Sequence, residues 1–530
     1  MADFHGVVYT KAWVSNLILD LAGYSMDKAL WAQTVVEPSC GHGSFLVPII
    51  SRLLSSAKRD DKINFEALKN CIVAYDLDPE AVNTCRSRAS EALISVGLSP
   101  RESDELSKFW VRQEDYLLAD TPSCDYVIGN PPYLRSSEIP EDSRARYCAA
   151  LSCMTKSCDI YIGFIEKGLV SLNNEYSVLC YICADRWLQN QYGKKLRNLI
   201  SQYYHIDSII RMHDVDAFEE DVSAYPAIVK VDRGEGKSKY VNCSSDFSTE
   251  CVPQLKSWIE DHQFMYDDSA FSATLLNHPT DGSVLPLSDT GKISIISSLI
   301  SQYPSLEESG VKLGIGLATG RDDVFLVNTP DIVESERMLP AFNMRSWRRG
   351  KGEQNYWLIN PWNRDGSLVN LKDYPRFSSY METHRAAIAG RHVARKNADA
   401  WYRTIDKVNW SIYGEPMLLF PDMAMRADPV YSDGSKYPCH NCYWLVSDRW
   451  DIKVLGGLLM SDIAESFIDA LGVKMRGGTM RFQAQYLRLI HVPEPESIPA
   501  NIADDLKDAF EKNDRLAASK AASVAYGLEV

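Results

Sequence analysis

Through the first 245 residues, short apolar runs alternate with longer helix-patterned stretches, and this alternation restricts the fold more than any other feature. Thr34-Val35-Val36-Glu37 reads as a short buried strand, followed by Gly41 and Gly43 and an apolar helical stretch from Ser44 to Leu54. Cys71-Ile72-Val73-Ala74-Tyr75-Asp76 is a second strand. Asp78-Pro79 then supplies an N-cap and a proline at the first helical position, opening a helix to Val96. Asp125 to Gly129 is a third strand, Tyr161 to Leu172 is helical, and Tyr176 to Cys183 and Ile206 to Met212 are strand-like. Strands and helices alternating at this spacing imply an α/β fold with a mostly parallel, doubly wound, Rossmann-like sheet. Such sheets bind ligands at the carboxyl ends of their strands, and the residues below fall there.

At the first strand end, Glu37-Pro38-Ser39-Cys40-Gly41-His42-Gly43 is a turn into a helix. Gly41 and Gly43 allow close approach of backbone to ligand. A dinucleotide site calls for three spaced glycines and a pyrophosphate; this loop has two and is led by an acid. Glu37 suits a ligand carrying a cationic ammonium and a sulfonium. Asp76, closing the second strand, is placed to take ribose hydroxyls, and Asp115, before Tyr116, to accept from an adenine amino group.

Directly after the third strand stands Asn130-Pro131-Pro132-Tyr133. The lone pair of an aromatic amino group is delocalised into its ring, which makes the nitrogen a poor nucleophile. Two acceptors aimed at the amino hydrogens, the Asn130 side-chain oxygen and the Pro131 carbonyl, favour a pyramidal nitrogen with a localised lone pair. The prolines fix that carbonyl and donate no competing hydrogen bond. Tyr133 can stack on a planar base. No metal or strong base is required, because positioning and electrostatics supply most of the effect. Four residues alone are a weak signal; about 90 residues after a suitable glycine loop they are a strong one.

On these residues the chain resembles the γ-class adenine-N6 DNA methyltransferases of restriction–modification systems, the TaqI-like type. The resemblance implies S-adenosyl-L-methionine as cofactor and adenine N6 as target, since cytosine-N4 enzymes tend to place serine where Asn130 stands. It implies contacts from Thr10, Glu37 and Ser39 to the methionine end, with Lys11 replacing the proline usual after Thr10. It further implies Asp76 and Leu77 at the ribose and adenine edge, Asp115 with Tyr116 at the cofactor adenine, and Phe164 packed near that adenine. Phe218 matches an aromatic that packs the target base, although Glu219-Glu220-Asp221 beside it is acidic for a loop near DNA. The base must leave the duplex stack to be reached.

The resemblance divides the chain into a catalytic domain (1–245), a connector (246–310), a target-recognition domain (311–495) of mixed α and β, and a C-terminal helical tail (496–530) containing one amphipathic helix from Ala500 to Ala522. Double-stranded DNA is the implied partner, with a separately encoded restriction nuclease, in a bacterial or archaeal cytoplasm. The net charge of −15 argues against a nucleic-acid partner until its distribution is considered. From Arg337 to Lys407 there are 14 Lys and Arg against 6 Asp and Glu. Candidate DNA contacts are Arg321, Arg345, Trp347, Arg348, Arg349, Lys351, Arg395 and Lys396. Trp357, Trp362, Trp401 and Trp410 read as β-domain core, with base stacking as the alternative. The alternatives for function are a modification subunit needing a separate specificity partner, a non-catalytic assembly subunit, and transfer to an RNA base or a glutamine side chain.

No apolar run reaches the roughly 18 residues of a membrane span, and no secretory signal is evident. The 13 cysteines are an odd number, scattered in apolar segments, as expected of reduced thiols. Cys439-His440-Asn441-Cys442 lacks a second Cys/His pair at zinc-site distance, so no metal is expected. Neither a nuclease arrangement nor a phosphate-cradling loop is evident.

Overall fold

The structure is a computed structural model describing residues 8–220, 225–261, 265–277, 282–288, 290–348, 355–440, 442–472 and 479–528; for Arg348 it describes the backbone alone. The chain divides into two compact units, Met1–Ser297 and Ser298–Val530.

The first unit is built on one sheet. Its strands are β1 Val35–Glu37, β2 Ile72–Asp76, β3 Val111–Gln113, β4 Tyr126–Gly129, β5 Val178–Ala184, β6 His205–Arg211, β7 Pro226–Asp232, β8 Ser238–Cys243, β9 Met265–Asp267 and β10 Phe271–Leu276. Their spatial order is β3-β2-β1-β4-β5-β7-β6-β8-β10-β9. Strands β1 to β5 pair in parallel, and β7 lies antiparallel between β5 and β6. Successive strand residues serve opposite cores. Val35, Ile72, Ala74 and Ile128 pack with helices Ala12–Leu21, Leu46–Arg59 and Pro79–Ser95. Val36, Val73, Tyr75 and Val127 pack with helices Tyr161–Val170 and Lys194–Tyr203. Apolar side chains on both faces account for the unbroken apolar runs of these strands, and the sheet is doubly wound as the alternation implied. The helix after β2 begins as expected, with the Asp78 side chain accepting from the Glu80 N–H and Pro79 in the first turn.

Two expectations change. The stretch 246–310, read as a connector, adds helix Val252–Asp261 and strands β9 and β10 to the first unit, β10 pairing antiparallel with β8. The C-terminal stretch read as one helix is two, Ala500–Glu511 and Arg515–Ala525, interrupted where Asn513 takes a φ of 52°. Asparagine is among the few residues that tolerate this left-handed conformation.

The second unit contains two four-stranded sheets, one of Val311–Ile315, Cys442–Ser447, Met417–Pro421 and Val430–Ser432, the other of Leu326–Val327, Tyr356–Ile359, Met338–Phe342 and Tyr437–Pro438. Trp362 and Trp401 lie in its core. The C-terminal helices are part of this unit rather than an appendage. Helix Ile452–Leu459 approaches Ala500–Glu511 so closely that a Cβ at Gly457 would sit 2.4 Å from the Leu506 carbonyl oxygen. Gly457→Val is therefore expected to destabilise this unit by about 1–3 kcal/mol in urea denaturation. Gly390→Ala, where an added Cβ meets nothing within 4 Å, should stay within about 0.5 kcal/mol of the parent. Equal stability of the two variants would contradict the close helix contact.

Candidate active site

Strands β1, β2 and β4 are neighbours, so their carboxyl ends bring Glu37, Asp76 and Asn130 to one edge of the sheet. There a cleft is lined by Thr10, Glu37, Ser39, Gly41, Asp76 and the Asn130-Pro131-Pro132 run. The turn after β1 depends on its glycines, with φ of 47° at Gly41 and 92° at Gly43. Gly43 N–H donates to the Cys40 carbonyl at 2.7 Å, closing the turn. The Tyr9 ring stacks on His42 with centroids 5.2 Å apart.

Glu37 is buried at 1% exposure, and its Oε2 has no hydrogen-bond partner. Burial, with smaller contributions from Cys85 and Asp76, pushes its carboxyl well above the usual carboxylate range. Asp76 is differently placed: Oδ2 accepts from Gly41 N–H at 2.7 Å and Oδ1 from Asp78 N–H at 2.9 Å. It thereby ties the glycine turn to the end of β2, while each oxygen keeps a lone pair for a ligand hydroxyl.

Asn130 is held by its nitrogen. Nδ2 donates to the Val8 carbonyl at 3.0 Å and to Thr10 Oγ1 at 3.2 Å. Its Oδ1 is consequently turned away, buried and without a partner. Ser39 Oγ donates to the Asn130 carbonyl at 2.8 Å, joining the β1 turn to the β4 turn. Ile160 N–H donates to the Leu134 carbonyl at 3.0 Å, holding the exit of the motif. Leaving a buried acceptor unmade costs free energy, so Glu37 Oε2 and Asn130 Oδ1 are each suited to take a hydrogen bond brought by a ligand.

Tyr133 and Phe218 meet edge to face, with centroids 6.3 Å apart and planes at 81°; the rings are too close and too steeply inclined to hold a planar base between their faces. Burial pushes the Tyr133 hydroxyl up, so it stays neutral. Asp115 Oδ2 accepts from Tyr147 Oη at 2.9 Å and Oδ1 from Leu117 N–H at 3.1 Å. Tyr116 packs between Tyr75 and Phe164, with centroids 5.4 and 5.3 Å away. Asp115, Tyr116, Phe164 and the exposed Leu77 are not among the residues lining the cleft.

In the second unit, Arg321 forms a bidentate pair with Asp323, and Trp347 packs on Phe342 while 42% exposed. Arg345, Arg395 and Lys396 are exposed. The Arg348 side chain, Arg349 and Lys351 lie outside the described residues, as does Asn441. Sequence reasoning missed Arg403 and Lys407, whose cations lie over the Trp362 ring at 5.2 and 5.0 Å; residues some 40 positions apart carry no local signal of such an arrangement. It also missed Tyr9 and Cys40 in the cleft lining, although Tyr9 adjoins Thr10 and Cys40 sits in the glycine turn. All 13 cysteines are free, and Cys439 and Cys442 are buried. Among the described residues no three His, Cys, Asp or Glu side chains converge as a metal site, and no helix is long and apolar enough to cross a membrane.

A family model described as Eco57I restriction-modification methylase matches residues 70–218. The type II methyltransferase M.XhoI of Xanthomonas vasicola is 35% identical over 538 residues, covering 100% of this chain and 98% of its own. M.PaeR7I of Pseudomonas aeruginosa, another type II methyltransferase, is 36% identical over 534 residues, covering 99% and 92%. Among solved structures, the type IIL restriction–modification enzyme MmeI in complex with DNA superimposes with a TM-score of 0.55 at 13% identity, over 98% of this chain and 73% of that one, a likeness of fold. A strand-end cleft with two unpaired acceptors, and full-length identity above 30% to two such enzymes, place this chain among the type II methyltransferases of restriction–modification systems.

Proposed function

We propose that the protein methylates N6 of a specific adenine in double-stranded DNA, taking the methyl group from S-adenosylmethionine. The observation carrying this reading is the Asn130 amide, whose nitrogen is anchored and whose oxygen is buried and unpaired at the end of β4. Asparagine rather than serine at this position favours adenine over cytosine. Support for DNA comes from the relatives' membership in restriction–modification systems and from MmeI, whose structure contains DNA. The biological role that follows is protection of host DNA from a cognate nuclease.

Glu37 and Thr10 would hold the ammonium end of the cofactor and Asp76 its ribose hydroxyls. When bound, the cofactor supplies a methyl group on a sulfonium. Asn130 Oδ1 and the Pro131 carbonyl accept from the two hydrogens of the adenine amino group and localise its lone pair toward that methyl. Ser39 keeps the motif backbone in place through the Asn130 carbonyl. The base stands outside the duplex on Tyr133, and admitting it turns the Phe218 ring from its present edge-on position. The second unit supplies phosphate contacts through its exposed cations, among them Arg395, Lys396 and Lys407.

Asn130→Ala should lower methyl transfer to DNA by at least about 10²-fold. Its cofactor affinity should stay within about tenfold, the size of one missing hydrogen bond; unimpaired turnover would contradict the role assigned to this amide. Glu37 gives a pH signature. A cationic ligand favours the ionised carboxylate, whereas burial raises the carboxyl in the free protein. Cofactor binding should therefore release a proton, and affinity should be full above the raised value and fall as pH drops through it. Calorimetry in buffers of different ionisation enthalpy should show the release in the parent and its disappearance in Glu37→Gln. Replacing Arg395 and Lys396 with alanine should reduce the slope of log affinity for DNA against log salt by about 0.9 for each phosphate that is no longer neutralised. An unchanged slope would place the DNA elsewhere.

A further inference from the structure

The N-terminal segment that enters the cleft is bonded on its other side to the loop carrying Phe218. Thr10 and Phe218 form an antiparallel bridge. Glu219 N–H donates to the Tyr9 carbonyl at 2.9 Å, and Lys11 N–H donates to the Ala217 carbonyl at 3.0 Å. The Lys11 ammonium also pairs with the Asp216 carboxylate. The same segment holds Asn130 through the Val8 carbonyl and Thr10 Oγ1. One short stretch thus touches the cofactor cleft through Thr10, the acceptor amide through Val8 and Thr10, and the loop of the base-facing aromatic through the two main-chain hydrogen bonds that make this bridge.

We propose that this bridge couples the two ligand sites, and that Lys11 and Asp216 are positioning residues that hold the Phe218 loop in step with the cofactor segment. The proposal rests on the reading of Thr10 as a cofactor contact and Phe218 as a base contact. A ligand that orders Thr10 stabilises whatever Thr10 and its neighbours are bonded to, so cofactor binding orders Ala217 to Glu219 as well. Linkage makes the effect reciprocal: a base that fixes Phe218 strengthens cofactor binding by the same factor. Lys11 contributes at two levels, an exposed ion pair to an 85% exposed partner and a main-chain hydrogen bond. The ion pair is the weaker of the two because solvent screens it.

Lys11 also permits a clean test. It is the N-cap of helix Ala12–Leu21, with φ of −62° and ψ of 145°, a conformation proline adopts without strain. Lys11→Pro therefore removes the N–H donor and the ammonium together while leaving the backbone path intact. Amide hydrogen exchange of the full-length protein, with and without S-adenosylmethionine, reads the coupling directly. In the parent, cofactor should slow exchange at Glu219 by at least about fivefold, together with protection of the glycine turn at residues 40–44. Lys11→Pro should keep the protection of the glycine turn and lose that of Glu219. Lys11→Ala and Asp216→Asn should fall between, and Lys11→Arg, which keeps both the N–H and a cation, should retain the parent response. Full cofactor-dependent protection of Glu219 in Lys11→Pro would overturn the coupling. Absence of cofactor protection at the glycine turn in the parent would instead overturn the reading of the cleft itself.

Discussion

The anchoring of the Asn130 amide governs what the rest of the site can do. Its two Nδ2 hydrogen bonds, to Val8 and Thr10, decide which way the amide faces. Facing that way, Oδ1 is buried with no protein partner. An acceptor left unpaired in a buried place costs the free protein stability and is well placed to take a donor brought by a ligand. A planar amino group is such a donor, and the neighbouring Pro131 carbonyl supplies a second acceptor that no proline N–H competes with. The direction of this amide thus follows from a segment more than 100 residues away in sequence.

The sheet brings the other groups into register with that amide. Parallel pairing of β1 with β2 and β4 sets three strand ends side by side, and Gly41 and Gly43 turn the chain sharply enough to open a cleft above them. The two acids there differ in kind. Asp76 ties the turn to the sheet through two main-chain N–H groups. Glu37 carries a raised carboxyl and a free buried oxygen. One acid is built into the scaffold and the other keeps a buried oxygen with no hydrogen-bond partner, a division that composition alone could not reveal.

Much of this was legible in the sequence because it depends on local pattern. The apolar runs ending at Glu37, Asp76 and Gly129 became β1, β2 and β4, since strands buried on both faces need unbroken apolar residues. Asp78-Pro79 opened a helix through cap chemistry confined to three residues. What was missed depends on partners distant in the chain. Phe271–Leu276 has no strict alternation of buried and half-buried positions, so nothing local marks it as a strand until β8 and β9 lie beside it. The break at Asn513 needs only one residue in a left-handed conformation, which a helical composition on both sides conceals. The hydrogen bond from Lys11 to Ala217 spans 206 positions, and the cations over Trp362 come from another loop.

Nucleoside analysis tests the account most directly. Unmethylated DNA treated with the purified full-length protein and S-adenosylmethionine carrying a labelled methyl group is digested to nucleosides and resolved by mass. An adenine acceptor held by Asn130 and Pro131 requires the label in N6-methyladenosine of the deoxy series and in no other nucleoside. Label in a methylated cytosine, or none in DNA under conditions where the cofactor binds, would contradict it.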